Sequence, residues 1–395
     1  MQRKKGFALS WFFAPYIGSA DMDFYKRIKG TDLDYYVTYL MRDNKDESVL
    51  NYGQKAGIER VEISTDFKNP RGRLARDEYE RVSLAHYSAI NASFDFIISH
   101  SNEIPSHAVA YKAKQMTPDK PWVAYFGDLF RANPYIKYIP GYPLVDEDAK
   151  TELDTLANAD LVILNNEYQK DLMFSGQAAR YADKAVVIPH AFDPAMYKPG
   201  ITPPVDNITT FAHLGTLYHT KRVAKPIFDA IDRLLSIYPE YRGRFCFEFY
   251  GGGLAHDDMM AYVNMKNKDH VRLLGNVGYI ESLEVMQRSD VLVLIDGIFN
   301  IKEDGIDCNP FLAGKLMDYM GAGRPIMAVT MEKGPSADIL KASGNIIASE
   351  QPDRIAYVIK RYVDGSVNVD GSNYVNYSID KISQQMEQAI RGVIK

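Results

Sequence analysis

"VRLLGNVGYIESLEVMQRSDVLVLI", Val271 to Ile295, opens on a short aliphatic run and turns through Gly-Asn-Val-Gly. It then continues as an amphipathic stretch and ends on a second aliphatic run after Ser-Asp. Each aliphatic run is bounded by turn residues, which reads as a buried strand, and the amphipathic stretch between them reads as a helix. Strand, helix and strand in that order make the unit of a parallel sheet, because parallel neighbours can be joined only by a crossover.

The same alternation runs along the whole chain. In the first half the candidate strands are "GFALSWFF", "YYVTYL", "RVEIST", "FDFIISHS", "WVAYFGD", "DLVILNN" and "AVVIPH", with helical stretches such as "EYERVSLAHYSAINA" and "DAKTELDTLANA" between them. In the second half they are "TTFAHLG", "FCFEFYG", "VRLLG", "DVLVLID", "PIMAV" and "NIIAS". The halves are separated by "DPAMYKPGITPPVDN", Asp193 to Asn207, which carries four prolines and one glycine and reads as a linker. The expectation is an N-terminal domain over 1–200, a second over 201–376, and a last amphipathic helix over 377–395 after the Gly/Asn/Ser-rich "DGSVNVDGSNYVN".

Composition excludes several classes. A chain of 395 residues with 46% hydrophobic and 25% charged residues is sized for two globular domains. A net charge of -5 argues against a main task of neutralising nucleic-acid phosphates. The two cysteines, Cys246 and Cys308, form no metal-ligand spacing and no disulfide framework, which fits a reducing, cytoplasmic setting. The start "MQRKKGFALSWFFAPYIG" has a basic head and an apolar stretch but no small-residue cleavage site, and reads as a first buried strand. No apolar run approaches the length of a membrane span. No His-Glu-x-x-His, strand-flanked Asp-x-Asp or cysteine cluster is present, so no bound metal is expected, and neither a Gly-x-Ser-x-Gly elbow nor a Walker A loop occurs. "YGGG", Tyr250 to Gly253, follows a strand but lacks the Gly-x-Gly-x-x-Gly spacing, so no dinucleotide cofactor is expected either.

In open α/β sheets ligands bind at the carboxyl ends of the strands, so polar groups just after strands carry the chemistry. "NPFLAGKLMDYMGAGRPI", Asn309 to Ile326, places Lys315 and Asp318 three residues apart on one face of a helix. A helix N-terminus with Lys315 suits phosphates, and a carboxylate at Asp318 suits ribose hydroxyls. The same spacing also fits a solvated ion pair. Lys221 and Arg222 closely follow the strand "FAHLG", where Arg's fork suits a diphosphate. Gly18 stands between the first strand and a helix, where a bare Cα lets a ligand approach. Asp128 ends the strand of "FGDLF" as a positioning group or a turn cap, and His100 and His107 flank "SNEIPS".

"FLAGKLMDYMGAGRPI" resembles the donor-binding motif of retaining GT-B glycosyltransferases of family 4, in the branch that runs Pro-Ser-Lys-Leu-x-Glu/Asp-Tyr-x-x-x-Gly-Lys/Arg-Pro. The better known form of that motif has two glutamates; the second falls on Asp318 and the first on Pro310, so backbone amides of Phe311, Leu312, Ala313 and Gly314 are the expected substitutes at the donor sugar. Further resemblances lie in "VIPHAFDPAMYKP", "AYFGDLFRANPYI", "FDFIISHSNEIPSHAVA" and "HLGTLYHTKRVAKPIFDAIDRL", where Gly215 is the turn glycine ahead of the diphosphate-binding cations. "VRLLGNVGYIESLEVMQRSDVLVLI" resembles the segment that carries the nucleotide base, at Val277.

The resemblance implies two Rossmann-like domains facing each other across a cleft, with the C-terminal helix crossing back to the first. It implies a retaining, metal-independent transfer of sugar from a nucleotide-sugar to a glycan or lipid-linked acceptor in cell-surface polysaccharide synthesis. Peripheral contact with the inner face of the plasma membrane would follow from a lipid-linked acceptor. Gly18, Gly215, Lys221, Arg222, Val277, Phe311 to Lys315 and Asp318 would bind the donor. His100 and His107 would bind the acceptor, and Asp128 and Arg222 would serve catalysis. The alternatives are a nucleotide-sugar epimerase or hydrolase on the same fold, or a non-catalytic nucleotide-binding subunit.

Overall fold

The computed structural model describes residues 3–64, 72–101, 104–136, 145–217 and 221–394. The chain forms two compact units, one of Met1–Ala191 with Tyr377–Lys395 and one of Phe192–Asn376.

The strands of the first unit are β1 (Lys5–Ser10), β2 (Asp34–Leu40), β3 (Ile58–Ile63), β4 (Phe96–Ser101), β5 (Trp122–Phe126), β6 (Leu161–Leu164) and β7 (Ala185–Val187). They form one parallel sheet in the order β3-β2-β1-β4-β5-β6-β7. Its helices are α1 (Ser19–Lys29), α2 (Arg73–Ile90), α3 (Pro105–Met116), α4 (Val145–Asn158) and α5 (Glu167–Met173). Central strands of such a sheet are covered on both faces, and β4 is buried at every position. At Gly6 in β1 a Cβ would fall 2.5 Å from the Phe96 ring, so only glycine lets that ring lie flat on the neighbouring strand.

The second unit repeats the winding with β8 (Thr209–Leu214), β9 (Phe245–Tyr250), β10 (Val271–Gly275), β11 (Val291–Ile295), β12 (Ile326–Val329) and β13 (Ile346–Ala348). These are parallel in the order β10-β9-β8-β11-β12-β13. The helices are α6 (Lys225–Ile237), α7 (His256–Asn264), α8 (Tyr279–Arg288), α9 (Ile301–Asp304), α10 (Gly314–Ala322), α11 (Pro335–Ala342) and α12 (Pro352–Val363). Phe211 and Phe247, stacked at 4.6 Å, pack with Ile227, Ile231, Val293, Ile355 and Ile359 into the core beneath α6 and α12. Each such side chain stabilises by about 1.5–3 kcal/mol through burial.

The last helix, α13 (Ile379–Val393), returns to the first unit and packs on α1. Ser383 Oγ donates to the Arg27 carbonyl at 2.7 Å, in the space where a Cβ on Gly30 would stand, and Glu387 accepts from the Asp32 amide at 2.7 Å.

The proline-rich stretch lies within the second unit. Tyr197 donates to the Asp318 carbonyl at 3.0 Å, and Lys198 and Gln287 exchange two hydrogen bonds, at 3.1 and 2.7 Å. These bonds tie the stretch to α10 and α8, so the chain passes between units at Ala191 to Phe192, ahead of the prolines. No helix among the described residues is long and apolar enough to cross a membrane.

Candidate functional site

Strand order reverses between β8 and β11 in the second unit, and ligands of open α/β sheets bind at such a switch point. Gly215, Lys221 and Arg222 follow β8 there, while Phe311, Leu312 and Ala313 lead into α10, whose first two turns hold Gly314, Lys315 and Asp318. The helix ends at Gly323, whose φ of 67° is the left-handed conformation that glycine adopts at a helix stop. Tyr319 straps it to the sheet: its buried hydroxyl accepts from the Leu214 amide at 3.0 Å and lies 3.3 Å from the Val293 carbonyl. The ends of β8 and β9 run back to back, so a Cβ on Gly251 would fall 2.3 Å from the Gly215 carbonyl oxygen.

The cations at this edge are held by carboxylates. Arg222 Nη2 donates to Asp296 Oδ1 at 2.8 Å, and the buried Asp296 also accepts from the Gly297 amide at 2.8 Å. Lys221 Nζ is 2.7 Å from Asp304 Oδ2 and 3.6 Å from Glu303 Oε2, and its side chain is almost enclosed. Lys315 Nζ lies 3.6 Å from Asp318 Oδ2 and 5.6 Å from the centre of the Tyr279 ring. Tyr279 in turn donates to Asp318 Oδ1 at 3.0 Å. Burial, reinforced by the Asp318 carboxylate, pushes the Tyr279 phenol well above its usual range, so it stays a donor at neutral pH.

Val277 is half-buried in the loop just before α8, the loop that delivers Tyr279 onto Asp318. Among the amides of Phe311 to Gly314, Phe311 donates to Asn309 Oδ1 at 3.0 Å and Ala313 to Ser336 Oγ at 3.3 Å. The amide of Gly314 opens the helix and has no intrahelical acceptor.

The first unit has its switch point between β1 and β4. Gly18 caps α1, and a Cβ there would fall 2.2 Å from Asp21 Oδ2, a carboxylate that also meets Arg42 at 3.2 Å. A side-chain anion thus lies beside the helix start where the sequence predicts a phosphate or sugar. Asp128 is half-buried just past β5, in a loop pinned by the buried Glu152, which accepts from the Phe130 amide at 2.7 Å and from Arg131 Nε at 2.6 Å.

Both candidate acceptor histidines lie beneath this edge rather than on it. His100 stacks between Phe24 at 4.6 Å and Tyr125 at 5.1 Å, and its Nδ1 lies 3.0 Å from Ser10 Oγ. The Ser10 hydroxyl donates to the Phe12 carbonyl, which leaves His100 Nδ1 as the donor of that pair. Burial pushes the His100 pKa down to about 3. His107, in the first turn of α3, is enclosed against Phe126 with Nδ1 2.7 Å from Ser99 Oγ, and burial holds its pKa well below the usual histidine range.

The sequence reading missed Asp296, Tyr279 and a buried network centred on Arg27. Arg27 Nε donates to Asp23 at 2.8 Å, Nη1 to the Ile188 carbonyl at 2.8 Å and Nη2 to Asn165 Oδ1 at 2.6 Å. Tyr125 also donates to Asp23, and His190 Nδ1 lies 2.8 Å from it. Burial alone would raise the Asp23 carboxyl, but Arg27 and His190 hold it far below the usual carboxylate range. Among the described residues no group of three or more His, Cys, Asp or Glu side chains is arranged to hold a metal ion.

No family model and no curated protein matches the chain. Solved structures do. The lipopolysaccharide outer core galactosyltransferase WaaB is 13% identical, with 98% of this chain and 99% of that one covered at a TM-score of 0.65. A glycosyltransferase from Rickettsia africae is 13% identical over 100% of both chains at 0.66. An E. coli structure described as trehalose-6-phosphate bound with UDP-2-fluoro glucose is 14% identical over 99% of both at 0.63. At such identities the likeness establishes the fold: two parallel-sheet, Rossmann-like α/β domains of the GT-B class.

Proposed function

We propose that this chain is a retaining, metal-independent glycosyltransferase that moves a sugar from a nucleotide-sugar to a glycan or lipid-linked acceptor in cell-surface polysaccharide synthesis. The observation that carries the reading is the edge between β8 and β11, where Arg222, Lys315 and Asp318 gather around one switch point. Arg222 and Lys315 have side chains 22% and 33% exposed and are held from behind by carboxylates, which fixes their direction while leaving charge toward solvent. The glycosyltransferases of like fold, and the UDP-sugar in one like structure, add support.

In this mechanism the bond between the anomeric carbon and the diphosphate oxygen breaks, and negative charge accumulates on the departing diphosphate. Arg222 and Lys315 stabilise that charge, and Asp318, oriented by Tyr279, takes the ribose hydroxyls. The acceptor hydroxyl attacks from the face the diphosphate leaves, and a diphosphate oxygen takes its proton. Asp128 orients hydroxyls of the acceptor or sugar, and the remaining gain comes from positioning. The work would take place in the cytoplasm, at the inner membrane face if the acceptor is lipid-linked.

The test is a thermal-shift screen of nucleoside diphosphates and their sugars, followed by a diphosphate-release assay with glycan acceptors in the presence of a chelator. A ligand at 100 times its dissociation constant stabilises by about 2.7 kcal/mol. Acceptor-dependent release that survives the chelator supports the reading. Release without acceptor points to a hydrolase, conversion of the donor's sugar to an epimerase, and binding without turnover to a non-catalytic subunit.

A further inference from the structure

His213 stands one residue before the end of β8, at the same switch point, and the donor-site reading gives it no task. It is 5% exposed. Its Nδ1 lies 2.9 Å from the Val293 carbonyl oxygen, which can only accept, so Nδ1 carries the proton and Nε2 presents a lone pair. That Nε2 is buried and, among the described residues, has no hydrogen-bond partner. Orphaned buried acceptors are rare and commonly mark a group awaiting a ligand or an ion.

Gly215 is the neighbour of that ring edge at the end of β8. Among the described residues beyond its chain neighbours, a Cβ built there would meet only His213 within 4 Å, with Nε2 at 3.8 Å and Cε1 at 3.9 Å, so the bare Cα of Gly215 lies beside that edge of the imidazole. Arg222 and Lys315 lie close enough for their charges to act on the same ring. A lone pair repels phosphate oxygens, so its partner must be an O–H or N–H. On the donor-site reading, Asp318 takes the ribose hydroxyls and the Val277 loop takes the base, which leaves the hydroxyls of the sugar. Pro310 provides no side-chain acceptor for them.

We propose that His213 Nε2 accepts a hydrogen bond from a hydroxyl of the transferred sugar, so that this imidazole reads the sugar and not the nucleotide. The proposal rests on the donor-site reading, and the experiment separates the two.

Titrate UDP, GDP, UDP-glucose and GDP-mannose into wild type, His213→Asn, whose side-chain amide can still meet Val293, and His213→Gln, whose carbonyl oxygen can reach toward the Nε2 position. Unfolding midpoints are checked alongside. The expected result is about tenfold weaker nucleotide-sugar binding by His213→Asn with unchanged affinity for the matching diphosphate, partly restored in His213→Gln. A purely structural role lowers both affinities together and leaves their ratio unchanged. That unchanged ratio overturns the proposal while the donor-site reading stands. Wild-type protein that binds none of the four overturns the donor-site reading and the proposal with it.

Discussion

In the first unit the carboxyl edge of the sheet is held by Arg27 of α1, which is wholly buried and bonded to Asp23 on its own helix and to Asn165 and the Ile188 carbonyl just past β6 and β7. In the second, the matching edge between β8 and β11 keeps Arg222 and Lys315 part-exposed, each with a carboxylate behind it. The two sheets are wound alike, yet one encloses its arginine wholly and the other encloses Lys221 while leaving Arg222 and Lys315 part-exposed. Winding therefore brings polar groups to the edge, and burial decides which of them are enclosed in the protein and which reach its surface.

The comparison can be broken most forcefully at Arg27. Arg27→Ala leaves Asp23 charged in the interior, and a loss of about 3–5 kcal/mol is expected from denaturant unfolding. Trp11 and Trp122, the chain's two tryptophans, both lie in the first unit, so their fluorescence reports its unfolding. A loss below about 1 kcal/mol would show that the network is not what holds this edge.

Acid tests both units next. His100 and His213 have native pKa values near 3 and near 4, below the roughly 6.5 of an unfolded histidine. As pH falls below 6.5 the unfolded chain takes up protons first, so stability drops with acidification until the native values are reached. Each such histidine removes about 2 kcal/mol between pH 7 and pH 5. His100 and His107 in the first unit and His213 and His270 in the second are all buried with lowered pKa values, so both units should lose stability, as tryptophan fluorescence set against circular dichroism would report. A stability that does not change between pH 7 and pH 5 in either unit would contradict the assignment of these rings as buried and neutral.

Tyr279→Phe is the smallest expected effect, about 0.5–1.5 kcal/mol on nucleoside diphosphate binding, because it removes one orienting bond to Asp318 and leaves the carboxylate in place. No change by calorimetry would mean that Tyr279 does not orient that group.

Much of the architecture is readable in the chain. Every strand falls on one of the quoted runs, since a buried parallel strand needs a short continuous apolar segment and the turns between them carry glycine, proline or asparagine. The motif of α10 also identifies its own helix stop at Gly323. What stays hidden is partnership across distance. Arg222 and Asp296 are 74 residues apart, Tyr279 and Asp318 are 39 apart, and Arg27 meets Asn165 across 138. Periodicity reports that a residue is buried and not which group it meets. Local signals likewise set His100 and His107 on either side of "SNEIPS", next to the end of a strand where a ligand would be sought, and the packing of Phe24, Tyr125 and Phe126 encloses them.

The central claim is that the edge between β8 and β11 grips the nucleotide of a sugar donor, and its most direct test is a calorimetric titration of nucleoside diphosphates into wild type, Arg222→Ala and Asp318→Ala. One diphosphate is expected to bind wild type, and each substitution to weaken that binding by about 1–3 kcal/mol, the scale of hydrogen bonds to charged groups. Binding of the same strength in all three proteins would contradict it.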